Sequence, residues 1–291
     1  MFDQMMSLGL LFFVVHLEHT TPSVSQGTGA QVSTDSPWHK GFETMYKKDK
    51  YARDRVMKSA RLLLPFIKDT DTVLDVGCFT QEARKYFPRT VKYIGLDSVK
   101  YHKDTKVTDL NHGFEPISCS SALCLETLEH LVDPEDTLSS IQKSISDQGY
   151  VVVSLPNETT LFHRIRCLLG TVDYQCFVSQ GKHLHLPSLK QCRKFLSQHL
   201  EIVNELYYIS PSAVGSGNQW VGEILRLIPD SIHQFFADRF PSLFARGFIF
   251  LLRKPGAKTP DSHEQSHQSR PLPERPPAID LSGKSSSDSS H

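Results

Sequence analysis

The stretch Thr72-Val73-Leu74-Asp75-Val76-Gly77-Cys78-Phe79-Thr80-Gln81-Glu82 decides the fold of this chain. It opens with a short apolar run from Val73 to Val76, of the kind that fills the centre of a parallel sheet. Gly77 then lets the backbone turn sharply at the carboxyl end of the predicted strand. Because open α/β sheets bind their ligands at that edge, Asp75 and Gly77 are candidate binding residues.

A second predicted strand, Tyr93-Ile94-Gly95-Leu96-Asp97, also ends in an acid. Doubly wound sheets place a carboxylate about 20 positions beyond the glycine turn, where it accepts hydrogen bonds from ribose hydroxyls. Asp97 stands at this distance from Gly77. The alternative is that Asp97 only caps the turn that follows the strand.

An acidic and imidazole cluster follows the fourth predicted strand, Ser120–Leu125. Glu126, Glu129 and His130 stand at i, i+3 and i+4, so a helical turn would project all three side chains from one face. Two carboxylates and an imidazole form a reasonable divalent-cation site, and oxygen-rich ligation suits Mg²⁺ or Mn²⁺. The segment from Lys182 to Leu186 offers His183 and His185 as candidates for a fourth ligand.

The first stretch resembles the first motif of the class I S-adenosylmethionine-dependent methyltransferases. In that family an aspartate-x-glycine-x-glycine-x-glycine turn lets the cofactor lie against bare backbone. Asp75 and Gly77 match this motif, whereas Phe79 and Gln81 stand where the second and third glycines would be. Their side chains are therefore expected to project where the methionine end of the cofactor approaches the loop.

The same resemblance implies further cofactor contacts. Asp109, at the end of a third strand predicted within Lys106–Leu110, would face the adenine. The implied set of residues that bind S-adenosylmethionine is Asp75, Gly77, Asp97, Asp109, Leu110 and Leu125.

The segment from Cys124 to Pro134 resembles the glutamate-x-x-glutamate-histidine segment of the ubiquinone-pathway O-methyltransferases, and the pattern also occurs in the small-RNA 2′-O-methyltransferases. This resemblance implies that His130 and Glu126 are catalytic. In metal-dependent relatives a histidine beyond the fifth strand completes a metal site. In many related enzymes the histidine instead packs or hydrogen-bonds beneath the acceptor pocket without a metal. The candidate metal ligands are Glu126, Glu129, His130 and His183.

The remaining pattern predicts an α/β fold, a Rossmann-like methyltransferase sheet of seven strands with helices on both faces. A helix predicted from Leu161 to Leu169 would turn its leucines and isoleucine inward and leave Arg164 and Arg166 in solvent. Residues 210–245 are predicted to be an apolar helical insertion before the last strand, with two helices separated by Pro229. The insertion could cap an apolar substrate or rest on a membrane surface, but packing on the sheet or in a dimer face is favoured.

Composition bounds the class of protein. The 291 residues contain 39% hydrophobic residues, enough for one substantial core, and the charges balance at 32 basic and 32 acidic residues. The balance argues against a nucleic-acid substrate, which usually demands a basic stripe. The six cysteines show no C-x-x-C pair, so free thiols in a reducing, cytoplasmic compartment are expected, with membrane association left open.

The ends of the chain differ in composition from its centre. Residues 1–36 are predicted to be a flexible leader, 37–254 the methyltransferase domain and 255–291 a disordered tail rich in serine and proline. The apolar run from Met5 to Leu17 is too short to span a bilayer and lacks a basic flank, which favours a leader over a removed signal or an anchor.

These patterns predict a methyltransferase that uses S-adenosylmethionine and acts on an apolar small-molecule or lipid-like acceptor. The alternative is a non-catalytic, methyltransferase-like scaffold with a degenerate cofactor loop. A dinucleotide-dependent dehydrogenase is disfavoured because the G-x-G-x-x-G pattern is absent. The oligomeric state is left open.

Overall fold

The computed structural model of the protein describes residues 50–170, 183–185, 187–209 and 227–256. Within these ranges seven strands form one sheet. They are β1 (Thr72–Val76), β2 (Lys92–Asp97), β3 (Thr105–Val107), β4 (Ser121–Leu125), β5 (Tyr150–Pro156), β6 (Glu201–Tyr208) and β7 (Gly247–Arg253).

Six α-helices and three short 3₁₀ segments accompany the sheet in the described ranges. The helices are α1 (Lys50–Leu63), α2 (Pro134–Ser144), α3 (Leu161–Leu168), α4 (Leu189–Ser197), α5 (Asp230–Arg239) and α6 (Pro241–Phe244). The 3₁₀ segments are Leu64–Phe66, Glu82–Tyr86 and Leu128–His130.

The strand order is β3-β2-β1-β4-β5-β7-β6. The strands β1 to β5 pair in parallel, whereas β7 runs antiparallel between β5 and β6. Chain order proceeds outward from β1 in one direction to β3 and resumes on the other side at β4. The predicted seven-stranded Rossmann-like sheet is therefore confirmed, with its topological switch point between β1 and β4.

Buried side chains cover both faces of the sheet. One cluster packs α2 and α4, through residues such as Ile141 and Leu196, against one face. The other packs α1, through Val56 and Leu63, against the opposite face. Because β-strand side chains alternate, neighbouring residues of one strand enter different clusters. Helices on both faces of the sheet were predicted, and this is what the structure shows.

The third strand is shorter than the sequence predicts, and the first crossover contains only a short helical segment. The third strand ends at Val107, because its partner β2 ends at Asp97 and supplies no further ladder positions. The crossover after β1 is reduced to the 3₁₀ segment Glu82–Tyr86, followed by Phe87 in extended conformation. Pro88 follows directly, and the residue before a proline is disfavoured in the helical region.

The inward orientation predicted for the apolar residues of α3 is wrong. Leu168 is 86% exposed, and the other apolar positions of the predicted face are also exposed. Among the described elements the helix packs mainly against α6, and its apolar side stays exposed. The exposed residues are Leu161, Ile165, Leu168 and Leu169.

The apolar insertion is described from residue 227 onward, and residues 210–226, like the predicted leader and most of the tail, lie outside the described residues. Helix α5 begins directly after Pro229, as predicted. Ala237 is buried, but Phe235 is 64% exposed, so the favoured packing holds for only part of this segment. No helix in the described ranges is both long and apolar enough to cross a membrane.

Candidate active site

The site lies at the carboxyl ends of β1 and β4, on either side of the switch point. Their register pairs Val76 with Cys124, so the loops that follow the two strands emerge side by side. Gly77 N and Cys78 N both donate hydrogen bonds to Leu96 O at 2.9 Å, which ties the first loop to β2. Parallel strands that end together create the crevice in which this class of sheet binds ligands.

Position 77 requires a glycine for two reasons, its backbone conformation and the close approach of a neighbouring side chain. Its φ angle is +74°, a left-handed value that other residues rarely adopt. A Cβ atom placed on Gly77 would lie 2.1 Å from Thr127 Oγ1, well inside van der Waals contact. Thr127 follows β4, so the absence of a side chain at Gly77 lets the two loops touch.

Phe79 and Gln81 adopt left-handed backbone although neither is a glycine. Their φ angles are +43° and +58°, both in the left-handed region. A non-glycine residue in this region raises the free energy by about 1 kcal/mol or more. The loop therefore has left-handed residues at all three positions where the family motif has glycine.

The Gln81 side chain is directed toward β2 and β3. Gln81 is buried, and its Nε2 donates to Thr105 Oγ1 at 3.3 Å. It packs over Gly95, where an added Cβ would lie 2.6 Å from Gln81 Nε2. The Phe79 ring packs edge-on against Tyr101, with 4.4 Å between centroids.

The two acids at the ends of β1 and β2 occupy different environments. Asp97 accepts hydrogen bonds from Phe79 N at 2.8 Å and Val99 N at 3.1 Å. Asp75 is buried and accepts a hydrogen bond from the Tyr93 hydroxyl at 2.5 Å. Burial raises the pKa of Asp75 to about 7, and it also raises the pKa of Asp97. Asp97 thus braces the loop, while Asp75 lies beneath it.

The other predicted cofactor residues are more scattered. Asp109 is exposed beyond the end of β3, where its Oδ1 accepts a hydrogen bond from Asn111 N at 2.9 Å. Leu110 is buried in the core, and Leu125 is half-buried at the last position of β4.

Glu126 does not share a helical face with Glu129 and His130. It precedes the 3₁₀ segment and has a φ angle of +52°. Its carboxylate lies 3.3 Å from Arg55 Nη1 and accepts a hydrogen bond from the Tyr208 hydroxyl at 3.1 Å. The predicted i, i+3, i+4 geometry is therefore wrong, because the chain begins its helical turn only at Leu128.

Glu129, His130 and His183 do come together. Glu129 Oε1 lies 3.8 Å from His130 Nε2 and 3.9 Å from His183 Nε2. One ligand atom from each residue falls within 4.8 Å of the others. Leu184 N and His185 N donate to the backbone oxygen of Glu129 at 2.8 and 3.1 Å, which brings His183 to the end of β4.

The Glu129 carboxyl group is buried without a conventional partner. Its side chain is fully buried, and neither oxygen accepts a hydrogen bond from the described residues. Burial, and then the nearby charge of Glu126, raises the pKa of Glu129 well above its ordinary value.

Glu158 is a site residue that the sequence analysis did not identify. Its Oε1 lies 2.7 Å from His183 Nδ1. The hydrogen bond to His183 lowers the pKa of Glu158. An ionised carboxylate is only an acceptor, so Nδ1 of His183 carries the proton and Nε2 faces Glu129. No local sequence pattern links positions 158 and 183; only the fold does.

Arg55 and Tyr208 were also missed by the sequence analysis. Arg55 comes from α1 and Tyr208 from the last position of β6, and the guanidinium carbon lies 5.9 Å from the centre of the Tyr208 ring. Both approach Glu126, as described above. Their spacing along the chain gives no signal, because α1 and β6 meet only after the sheet has formed.

A cavity of about 350 Å³ adjoins Glu129. Leu128, Leu155 and Phe195 contribute to its apolar wall, and Glu129 and His185 contribute polar groups. Its size and lining suit part of a small apolar ligand.

The sequence matches the family model described as "Methyltransferase domain" over residues 49–199, just over half of the chain. The fold and this match together define the class: the chain belongs to this family of methyltransferase domains. A comparison with curated protein sequences found no match to the chain.

Solved structures of the same fold include two that span most of this chain. Magnesium protoporphyrin IX methyltransferase from Synechocystis, solved with bound S-adenosylhomocysteine, is 11% identical; the match covers 76% of this chain and 96% of that one, with a TM-score of 0.50. A SAM-dependent methyltransferase from Archaeoglobus fulgidus is 17% identical, with 75% and 100% coverage and a TM-score of 0.49. At these identities the likeness concerns the fold.

Proposed function

We propose that the protein transfers the methyl group of S-adenosylmethionine to a hydroxyl group on an apolar small-molecule or lipid-like acceptor. The observation that carries this proposal is the loop after β1. It has left-handed backbone at Gly77, Phe79 and Gln81 and lies at the switch point of a methyltransferase sheet. The bound S-adenosylhomocysteine in the Synechocystis enzyme supports the same class of cofactor for this fold.

The residues present fit this cofactor. Gly77 exposes bare backbone, and the burial of Gln81 keeps its side chain off the upper side of the loop. Asp97 lies at the carboxyl end of β2, where a doubly wound sheet places the carboxylate that accepts hydrogen bonds from ribose hydroxyls. In this proposal Asp75 supports the loop from below and Asp109 lies near the adenine, while Leu110 and Leu125 complete the cofactor-binding set.

S-adenosylmethionine supplies an electrophilic methyl group on a sulfonium centre. The protein must position the acceptor and receive one proton from it. His130 is proposed as the general base. Glu129 and His183 lie within 4 Å of each other beside it, and Glu158 holds the His183 ring in one tautomer.

Glu126 is proposed to act through other side chains. Its contacts with Arg55 and Tyr208 fix both groups above the end of β4. It therefore serves as a positioning residue, and not as a metal ligand, in this proposal.

The residues do not fit Mg²⁺. Mg²⁺ prefers a nearly octahedral shell of oxygen ligands. The cluster formed by Glu129, His130 and His183 offers two imidazoles and one carboxyl group, and Glu126 is bound elsewhere. No step of the proposed reaction uses a metal.

Titration calorimetry with S-adenosylmethionine tests the proposal. We expect micromolar binding that Asp97→Ala weakens by at least tenfold, because two or more hydrogen bonds to a charged acceptor are lost. Asp147→Ala is the matched control, since Asp147 is 92% exposed and pairs only with Lys254 among the contacts found. Absent or millimolar binding by the parent protein would favour the non-catalytic scaffold.

A further inference from the structure

Helices α3 and α5 carry exposed apolar stripes next to the candidate active site. On α3 the stripe consists of Leu161, Ile165 and Leu168, with Leu169 just beyond its end, and on α5 of Ile232, Phe235, Phe236 and the adjoining Phe240. The positions in each helix repeat at intervals of three and four residues, so each set lies on one side of its helix. Most of the exposed large apolar side chains in the described residues belong to these two segments.

The short helix α6 joins the two stripes. It contacts both α3 and α5. Arg164 Nη2 donates to Ser242 O at 3.3 Å, and the rings of Phe236 and Phe244 lie 5.3 Å apart. We call the combined face of α3, α5 and α6 the apolar surface. The apolar surface combines several exposed side chains, whereas a single exposed apolar side chain is common on any protein. Large apolar patches of this kind mark interaction sites.

The charges around the apolar surface are mixed but basic on balance, with three arginines and Lys50 against Asp230 and Asp238. Helix α3, LFHRIRCL, contains two arginines and a histidine but no acid. On α5 the guanidinium of Arg239 lies 5.0 Å from the centre of the Phe240 ring, within the apolar stripe. Of the two acids of α5, Asp230 forms an ion pair, whereas Asp238 accepts a hydrogen bond from a neutral amide and keeps its negative charge. Lys50 Nζ lies 2.6 Å from Asp230, and Gln234 Nε2 donates to Asp238 at 2.7 Å.

The apolar surface is fixed to the active site by Asn157. Its Nδ2 group lies within hydrogen-bond distance of the backbone oxygens of Pro241, Ser242 and Ala245, at 3.3, 3.3 and 2.9 Å. The next residue, Glu158, pairs with His183 of the site cluster. Only two residues then separate Glu158 from the start of α3.

We propose that the apolar surface docks onto the interface of an anionic lipid bilayer. Amphipathic helices with aromatic and leucine side chains on one face and arginines beside them lie in the headgroup region, held by apolar burial and by attraction to anionic lipids. The charge pattern decides for lipid over a second copy of the chain, because identical basic faces repel each other. The inference concerns attachment and is independent of the methyl-transfer chemistry.

Vesicle sedimentation with the full chain tests this. The protein should sediment with phosphatidylcholine vesicles that contain phosphatidylserine and much less with phosphatidylcholine alone. The double variant Leu168→Gln, Phe235→Gln should lower the bound fraction about tenfold, since two exposed apolar side chains are removed. Arg239→Gln should reduce the preference for phosphatidylserine several-fold.

Val107→Gln is the matched control. Val107 is 46% exposed on β3, at the edge of the sheet opposite β6, and its substitution should leave sedimentation unchanged. Circular dichroism and thermal unfolding confirm that each variant is folded. The proposal is overturned if the parent protein does not sediment with anionic vesicles, or if Val107→Gln lowers vesicle binding as much as the double variant. It is also overturned if light scattering shows a dimer that the double variant separates.

Discussion

At the scale of single residues, the loop after β1 separates two reasons for having a glycine. One is a left-handed φ angle, and the other is a lack of space for a side chain. Gly77 needs its φ angle and also needs room beside Thr127. Phe79 and Gln81 share the left-handed φ but carry side chains that pack against Tyr101 and Thr105. The sequence suggested that two missing glycines damage the loop. The structure shows left-handed φ angles at both positions, and the side-chain contacts of Phe79 and Gln81 offset part of the conformational free energy that these angles cost.

Replacement of Gly77 by alanine should cause severe destabilisation. Left-handed strain contributes about 1 kcal/mol, and the overlap with Thr127 adds about 2 kcal/mol or more. Gly256→Ala is the matched control, since Gly256 has a φ angle of +77° but no atom near an added Cβ. Urea denaturation should show that the control lowers the free energy of unfolding by about 1 kcal/mol or less. Equal losses for the two variants would contradict the overlap with Thr127.

Asp75 should make stability depend on pH in an unusual direction for a carboxyl group. Its pKa is raised from an ordinary value of 3.8 to about 7 by burial, so the folded protein keeps a proton that the unfolded chain loses. Stability should be greatest below the unfolded pKa, fall by up to about 1.4 kcal/mol per pH unit as the pH rises, and level off above the folded pKa.

The Asp75→Asn variant isolates this effect. Asparagine can still accept the Tyr93 hydrogen bond through its carbonyl oxygen but does not titrate. Unfolding free energies measured from pH 4 to pH 8 should therefore converge at low pH and favour the variant increasingly toward pH 7. Parallel profiles for the two proteins would show that Asp75 is ionised in the folded state throughout.

At the scale of elements, helix boundaries follow from local signals, whereas helix orientation does not. Asp133 caps α2 by accepting from Asp136 N, and Ser188 and Gln191 form a capping box at α4. These caps depend on residues three apart and are readable in the sequence. The apolar spacing of α3 likewise predicted a helix correctly. Which way its stripe faces depends on α6, about 80 positions later in the chain.

Asn157 is the residue that holds α6 in place, so Asn157→Ala should loosen this element. The side chain is 1% exposed, and its removal leaves buried backbone oxygens without donors, at a loss of about 1–3 kcal/mol. Asn204→Ala, at an exposed position of β6, is the control and should change stability by less than about 0.5 kcal/mol. Thermal unfolding measures both variants.

Hydrogen exchange locates the Asn157 effect. Amides of α6 and of the start of β7 should exchange faster in Asn157→Ala, while those of β1 and β2 keep their protection. A uniform increase across the whole sheet would mean that Asn157 supports global stability and has no special role at α6.

At the scale of the whole molecule, β7 connects the two cores. Phe248 and Phe250 enter one buried cluster, whereas Ile249 and Leu251 enter the other. The strand pairs with both β5 and β6. A single strand therefore contributes to both faces of the sheet, and the two cores should unfold together.

The Phe250→Ala variant tests this coupling. A fully buried phenylalanine replaced by alanine should lower the unfolding free energy by about 3–5 kcal/mol. Val203→Ala, at a position 41% exposed on β6, should lower it by less than about 1 kcal/mol. Circular dichroism and tyrosine fluorescence followed in urea should give one coincident transition for each variant. Separate transitions would mean that the two faces are independent units.

The sequence by itself determined the approximate ends of β1, β2 and β4, the loop at Asp75 and Gly77 and the caps of α2 and α4, because each depends on residues a few positions apart. It also predicted that Glu129, His130 and His183 lie together, through the resemblance to known methyltransferases. Only the tertiary structure decided that Glu126 turns to Arg55 and Tyr208, that Glu158 orients His183, and that α3 exposes its apolar side. These features join residues far apart in the chain, and their contacts exist only once the strands are ordered in the sheet.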